Sequence, residues 1–189
     1  MGRSMVAALT RAVEARHPWT RGHAARVMGL STAVAQTLGW DDARLARVRL
    51  GSLLHDVGKL SLPAELLGKP GRLTREELEQ VKRHPTAGAR LLASVPRALP
   101  ALPCVLYHHE RWDGHGYPAG LAGPNIPSDA RLVGIADAFD AMTSDRPYRP
   151  ALPVRAALYE LVRCAGTQFD PELARACVEL WAVDARIAV

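Results

Sequence analysis

The segment SLLHDVGKL, residues 52–60, runs an apolar helix straight into a histidine and an aspartate. A carboxylate does not enter a protein core alone, because burying an unpaired charge is strongly unfavourable. The fold must therefore supply His55 and Asp56 with a buried positive group. The pattern recurs along the chain. CVLYHHE ends another apolar helix on His108 and His109, His84 closes a third, and Asp137 lies within the apolar run LVGIADAFDAM. Asp137 is four residues after Val133, His23 four before Val27, and His55 seven after Val48. Those spacings turn each side chain to the inward face of its helix.

Several buried histidines and aspartates from separate helices call for a metal centre, since neutral imidazole and carboxylate are the usual ligands. One ion uses four to six ligands. His23, His55, Asp56, His84, His108, His109 and Asp137 make a larger set, which suggests two divalent ions bridged by Asp56. Mixed nitrogen and oxygen donors suit iron, manganese, nickel or zinc better than magnesium or calcium. Paired ions of this kind hydrolyse phosphoesters.

The remaining pattern is helical. Met5 to Arg16 reads as a helix. A second runs from about Thr20 to Leu38, with Val27, Leu30, Val34 and Leu38 on one face and Gly39 as its stop. Asp41 or Asp42 caps the next. Thr74 and Glu77 form a capping box for a helix reaching about Arg83, which Pro85 interrupts or restarts. Asp113 to Pro127 (DGHGYPAGLAGPNIP) is a long Gly/Pro-rich loop, and loops of that length tend to be functional. Ala130 to Thr143 is helical, and Pro153 and Pro171 begin two more helices, the last capped by Asp170. The expectation is an all-α, single-domain chain, residues 1–189 with a core at about 10–180, and no separate regulatory domain.

Composition narrows the partners. The net charge of +5 suits an anionic ligand. Aromatic residues at 5% leave no basic–aromatic platform for polymeric nucleic acid. No apolar run suits a signal peptide or a membrane span, so a cytoplasmic protein is expected. Cys104, Cys164 and Cys177 lack CxxC spacing and read as small apolar residues.

HDVGK (His55 to Lys59) resembles the signature of the HD superfamily of phosphohydrolases. HHERWDGHGYPAGLAG (His108 to Gly123) resembles the HD-GYP subgroup, as do LPAELLGKPGRLTREE, IPSDARLVGIADAFDAMTSDRPYR and GTQFDPEL. The resemblance covers roughly residues 10 to 180. It implies an HD-type helical bundle that hydrolyses cyclic di-GMP to pGpG, and onward to GMP in some members, through a metal-bridging hydroxide.

By that resemblance His23, His55, Asp56 and Asp137 bind one ion, and Asp56, His84, His108 and His109 the second. Iron or manganese is the leading pair, with nickel or zinc as alternatives. Lys59 touches the scissile phosphate. Arg146 and Arg149, in RPYR, hold guanine and phosphate. The GYP loop shapes the rim of the site and is associated with GGDEF-domain partners; a homodimer is compatible. Gly114, Gly116 and Pro118 read as structural, Glu110 and Asp113 as acceptors that orient the histidines, and His17 and His115 as surface residues. Members with a third ion carry a glutamate where this chain has Trp19, so two ions are expected. Two rival readings are a phosphodiesterase for another dinucleotide, such as cyclic GMP-AMP or pGpG, and a non-catalytic cyclic di-GMP receptor.

Overall fold

The computed structural model describes residues 2–69, 71–145 and 150–184, except for the side chains of 2–4, 19 and 184. Ten helices follow one another: α1 (Gly2–Arg16), α2 (His23–Thr37), α3 (Asp42–Leu54), α4 (Ala64–Leu67), α5 (Arg75–Val81), α6 (His84–Ala93), α7 (Leu102–Tyr107), α8 (Ser128–Thr143), α9 (Val154–Arg163) and α10 (Pro171–Asp184). Short 3-10 turns occupy Pro18–Thr20, Val57–Ser61, Pro96–Ala101 and Gly123–Asn125. Among the described residues there is no strand, only an isolated bridge between Ala165 and Phe169. The fold is all-α. No described helix is long and apolar enough to cross a membrane.

Two apolar clusters hold the helices together. The larger joins α2, α3, α8, α9 and α10 through Val27, Val48, Leu132, Leu161 and Trp181. The smaller joins the end of α3 to α6 and α7 through Leu54, Val57, Leu92 and Val105. Full burial of each such side chain contributes roughly 1.5–3 kcal/mol. Cys104 and Cys177 are fully buried, Cys164 is half-buried, and all three are free.

Local chemistry sets the helix ends. The Asp41 carboxylate accepts the Arg44 N–H at 2.7 Å and starts α3. The capping box at Thr74 is formed in both directions. Asp170 accepts the Glu172 and Leu173 N–H groups and starts α10.

Three expectations are corrected. α2 begins at His23, not Thr20, because Gly22 takes a left-handed turn (φ 73°) with its N–H on Glu14. Leu38 is 41% exposed rather than packed. The chain turns there: Gly39 N–H bonds Gln36 O and Trp40 N–H bonds Ala35 O, the two bonds of a Schellman closure. Trp40 covers the core in place of Leu38. His84 opens α6 instead of closing α5, since Pro85 has no N–H to continue a helix and is tolerated in a first turn.

Candidate metal centre

The histidines sit where helices begin or end. His23 is the first residue of α2 and His84 the first of α6; His55 follows α3 and His108 follows α7. All four are buried. Their outward nitrogens are occupied. Nδ1 of His55 donates to Ser52 O at 2.7 Å, of His84 to Val81 O at 2.8 Å, and of His108 to Cys104 O at 2.9 Å. A carbonyl only accepts, so Nδ1 carries the proton and the Nε2 lone pair is left facing inward. His23 Nδ1 meets Asp140 Oδ2 at 2.7 Å.

The inward atoms converge. His23 Nε2 lies 3.3 Å from His55 Nε2, and His84 Nε2 lies 3.4 Å from His108 Nε2. At the His84–His108 pair, two lone pairs have no reason to approach so closely. The spacing is that of two ligands on one ion, where nitrogens at ~2.1 Å in a tetrahedron stand ~3.4 Å apart. Asp56 faces both pairs with different oxygens. Oδ2 is 3.5 Å from His55 Nε2 and 3.8 Å from His23 Nε2; Oδ1 is 3.4 Å from His84 Nε2. Asp137 Oδ1 closes the first group at 3.1 Å from His23 Nε2. His109 joins the second group, its ring 4.1 Å from that of His108 and stacked on Tyr117 at 4.8 Å. The donor set fits divalent cations. It forms two groups that share Asp56.

Charge follows the same division. Burial holds the His84 imidazole down to about 3 and His109 down to about 4, and keeps His108 well below its ordinary value. Burial pulls His23 the same way, but hydrogen bonds to Asp137 and Asp140 overcome it and raise His23 to about 9. For Asp56, burial favours the neutral acid, yet Lys59 and the nearby imidazoles keep it well below the usual carboxylate range.

Lys59 Nζ stands 2.5 Å from Asp56 Oδ2, at the edge of the cluster. Arg146, Arg149 and the Trp19 side chain lie outside what is described. Glu110 and Asp113 do not orient the histidines. Glu110 accepts the Ala119 and Leu121 N–H groups and shapes the loop, while Asp113 pairs with Arg111. The orienting carboxylate is Asp140, held by Arg26 Nε at 2.5 Å. The available signal was spacing: Asp140 is three residues after Asp137 on α8, and Arg26 three after His23 on α2. His17 is 1% exposed rather than superficial. The turn Pro18–Thr20 folds it inward, where burial and neighbouring Lys59 lower its pKa. His115 is exposed, as expected. Gly116 is structural: a Cβ there would lie 2.4 Å from Arg111 N.

The HD domain family profile matches residues 7–173. The chain belongs to the HD domain family. Its HD-GYP character is supported by the relatives. A cyclic di-GMP phosphodiesterase response regulator of Xanthomonas campestris is 40% identical over 171 residues, covering 89% of this chain and 45% of that protein. A 3'3'-cGAMP-specific phosphodiesterase of Vibrio cholerae is 36% identical over 168 residues, covering 89% and 36%. A solved HDG"Y"P protein of Bdellovibrio bacteriovorus superposes with a TM-score of 0.69 at 26% identity, covering 84% and 51%. This HD chain thus spans less than half the length of those two curated relatives.

Proposed function

We propose that this HD-GYP chain is a metal-dependent phosphodiesterase that opens cyclic di-GMP to linear pGpG, with onward cleavage to GMP as the alternative end point. The observation that carries the reading is Asp56, which turns one oxygen to His23 and His55 and the other to His84. A carboxylate so shared suits two divalent ions, iron or manganese first. His23, His55, Asp56 and Asp137 would hold one, and Asp56, His84, His108 and His109 the other. Such ions, when bound, make water nucleophilic near neutral pH and counter phosphate charge.

The chain's own groups do the rest. The Lys59 ammonium, already against Asp56, neutralises a non-bridging phosphate oxygen as charge builds on phosphorus. Asp140 and three backbone carbonyls hold the imidazoles in register. Arg146 and Arg149 take the guanine and phosphate groups. A cytoplasmic location, and contact with GGDEF-domain proteins through the loop, belong to the same reading. The relative named for cGAMP favours a second reading, in which a mixed dinucleotide is also a substrate. A receptor role is disfavoured, because the donor set is complete.

The test is direct. Protein purified without chelator is kept anaerobic, loaded with Fe(II) or Mn(II) and given cyclic di-GMP. Chromatography should show pGpG or GMP, abolished by Asp56→Ala. No product from a chain holding two ions would overturn the assignment of cyclic di-GMP.

A further inference from the structure

Tyr117, stacked on His109, forms a wall common to two clefts. One, of about 240 Å³, contains Lys59. The other, of about 390 Å³, has His108, His109 and Asp137 among its walls, together with Trp112, Phe169 and Gln168. A group seated in the larger cleft is therefore adjacent to the metal centre and meets the side chains of Trp112 and Tyr117.

Gln168 is the polar group not otherwise accounted for. It belongs to the GTQFDPEL segment, whose other members have structural duties. Gln168 O accepts the Trp112 N–H at 3.1 Å, and Thr167 O accepts the Asp113 N–H at 2.8 Å. Asp170 pairs with Arg131 and caps α10. The backbone at Gln168 is thus fastened to the GYP loop on one side and to α10 on the other. Its half-buried side-chain amide makes no hydrogen bond among the described residues and lines the cleft.

An amide presents a donor beside an acceptor. Guanine offers the complement with its O6 acceptor and N1–H donor, and adenine offers the reverse with its N6–H donor and N1 acceptor. An amide that nothing locks pairs with either base by turning over. We propose that this cleft is a purine subsite in which Gln168 reads the base edge and accepts guanine and adenine alike. The proposal rests on the phosphodiesterase reading and assigns a residue to its second form: with Gln168 reading the base, the chain would cleave cyclic GMP-AMP as well as cyclic di-GMP.

The test uses the full metal-loaded chain. Wild type should cleave both dinucleotides with kcat/KM values within about tenfold of each other. Gln168→Leu should raise KM about tenfold for both, the loss of one hydrogen-bonding group, with the change in KM rather than kcat. Gln168→Glu keeps acceptors for guanine N1–H and N2–H but offers adenine no donor. It should raise the preference for cyclic di-GMP about tenfold. Metal content and melting temperature report that each variant is folded. An unchanged KM in Gln168→Leu overturns the subsite, and a wild-type preference in Gln168→Glu overturns the purine-tolerant pairing. If wild type cleaves neither dinucleotide, the phosphodiesterase reading fails separately. Calorimetric binding of cyclic di-GMP to wild type and Gln168→Leu then decides the subsite, equal Kd values counting against it.

Discussion

Asp140 Oδ2 lies 2.7 Å from His23 Nδ1, so the first imidazole of the cluster is aimed by a carboxylate that holds no place in the ligand set. Arg26 fixes that carboxylate in turn through its Nε and one further guanidinium nitrogen. Asp140→Asn should weaken metal binding roughly 10–100-fold while the helices stay folded. Competition against a chelating dye reads the affinity, and circular dichroism reads the fold. Wild-type affinity would show that His23 needs no orienting acceptor.

Metal uptake should release a proton from the same pair. In the metal-free protein, burial lowers the His23 pKa, but Asp137 and Asp140 outweigh it and raise it to about 9. A cation needs the Nε2 lone pair and must displace that proton. Affinity should therefore climb about tenfold per pH unit below pH 9 for the one proton exchanged. Calorimetry at pH 7.5 in buffers of different ionisation enthalpy counts the protons released. Buffer-independent heats would contradict a protonated His23.

Acid should destabilise the metal-free protein in a defined window. Burial holds folded His84 down to about 3 and His109 down to about 4, against 6.5 for an ordinary histidine. As pH falls below 6.5, the unfolded chain takes up protons that the folded chain refuses, so stability drops until the folded values are reached. His23 has the opposite sign, but its contribution changes only between 6.5 and about 9, above this window. Melting temperatures of chelator-treated protein should decline steadily from pH 6.5 to 4.5. A flat profile would mean that these two imidazoles are protonated in the fold.

Gly58→Ala should disrupt the cluster without touching a ligand. A Cβ at Gly58 would lie 1.8 Å from His84 O and 2.5 Å from Gly88 N, both backbone atoms that cannot swing aside. The turn Val57–Ser61 would have to part from α6, carrying Asp56 away from His84. The expected cost is about 3 kcal/mol of stability, with loss of metal. Denaturant unfolding and metal analysis of the purified variant check both.

That His23, His55, Asp56, His84, His108, His109 and Asp137 gather at one place was readable because a buried charge among apolar residues has few explanations. The all-α class was readable because helical periodicity and caps such as Asp41 and the Thr74–Glu77 box are local. The inward turn of His17 was not, nor was Asp140 as the orienting carboxylate in place of Glu110 and Asp113. Those depend on which elements meet. Periodicity names the inward face of a helix but not the neighbour it faces, and His55, His84 and His108 are oriented by backbone carbonyls, which have no identity in a sequence. By itself the sequence determined the helices, the donor types and the loop. Only the tertiary structure decided that one Asp56 oxygen faces His55 and the other His84, because that division arises where separate helix ends converge.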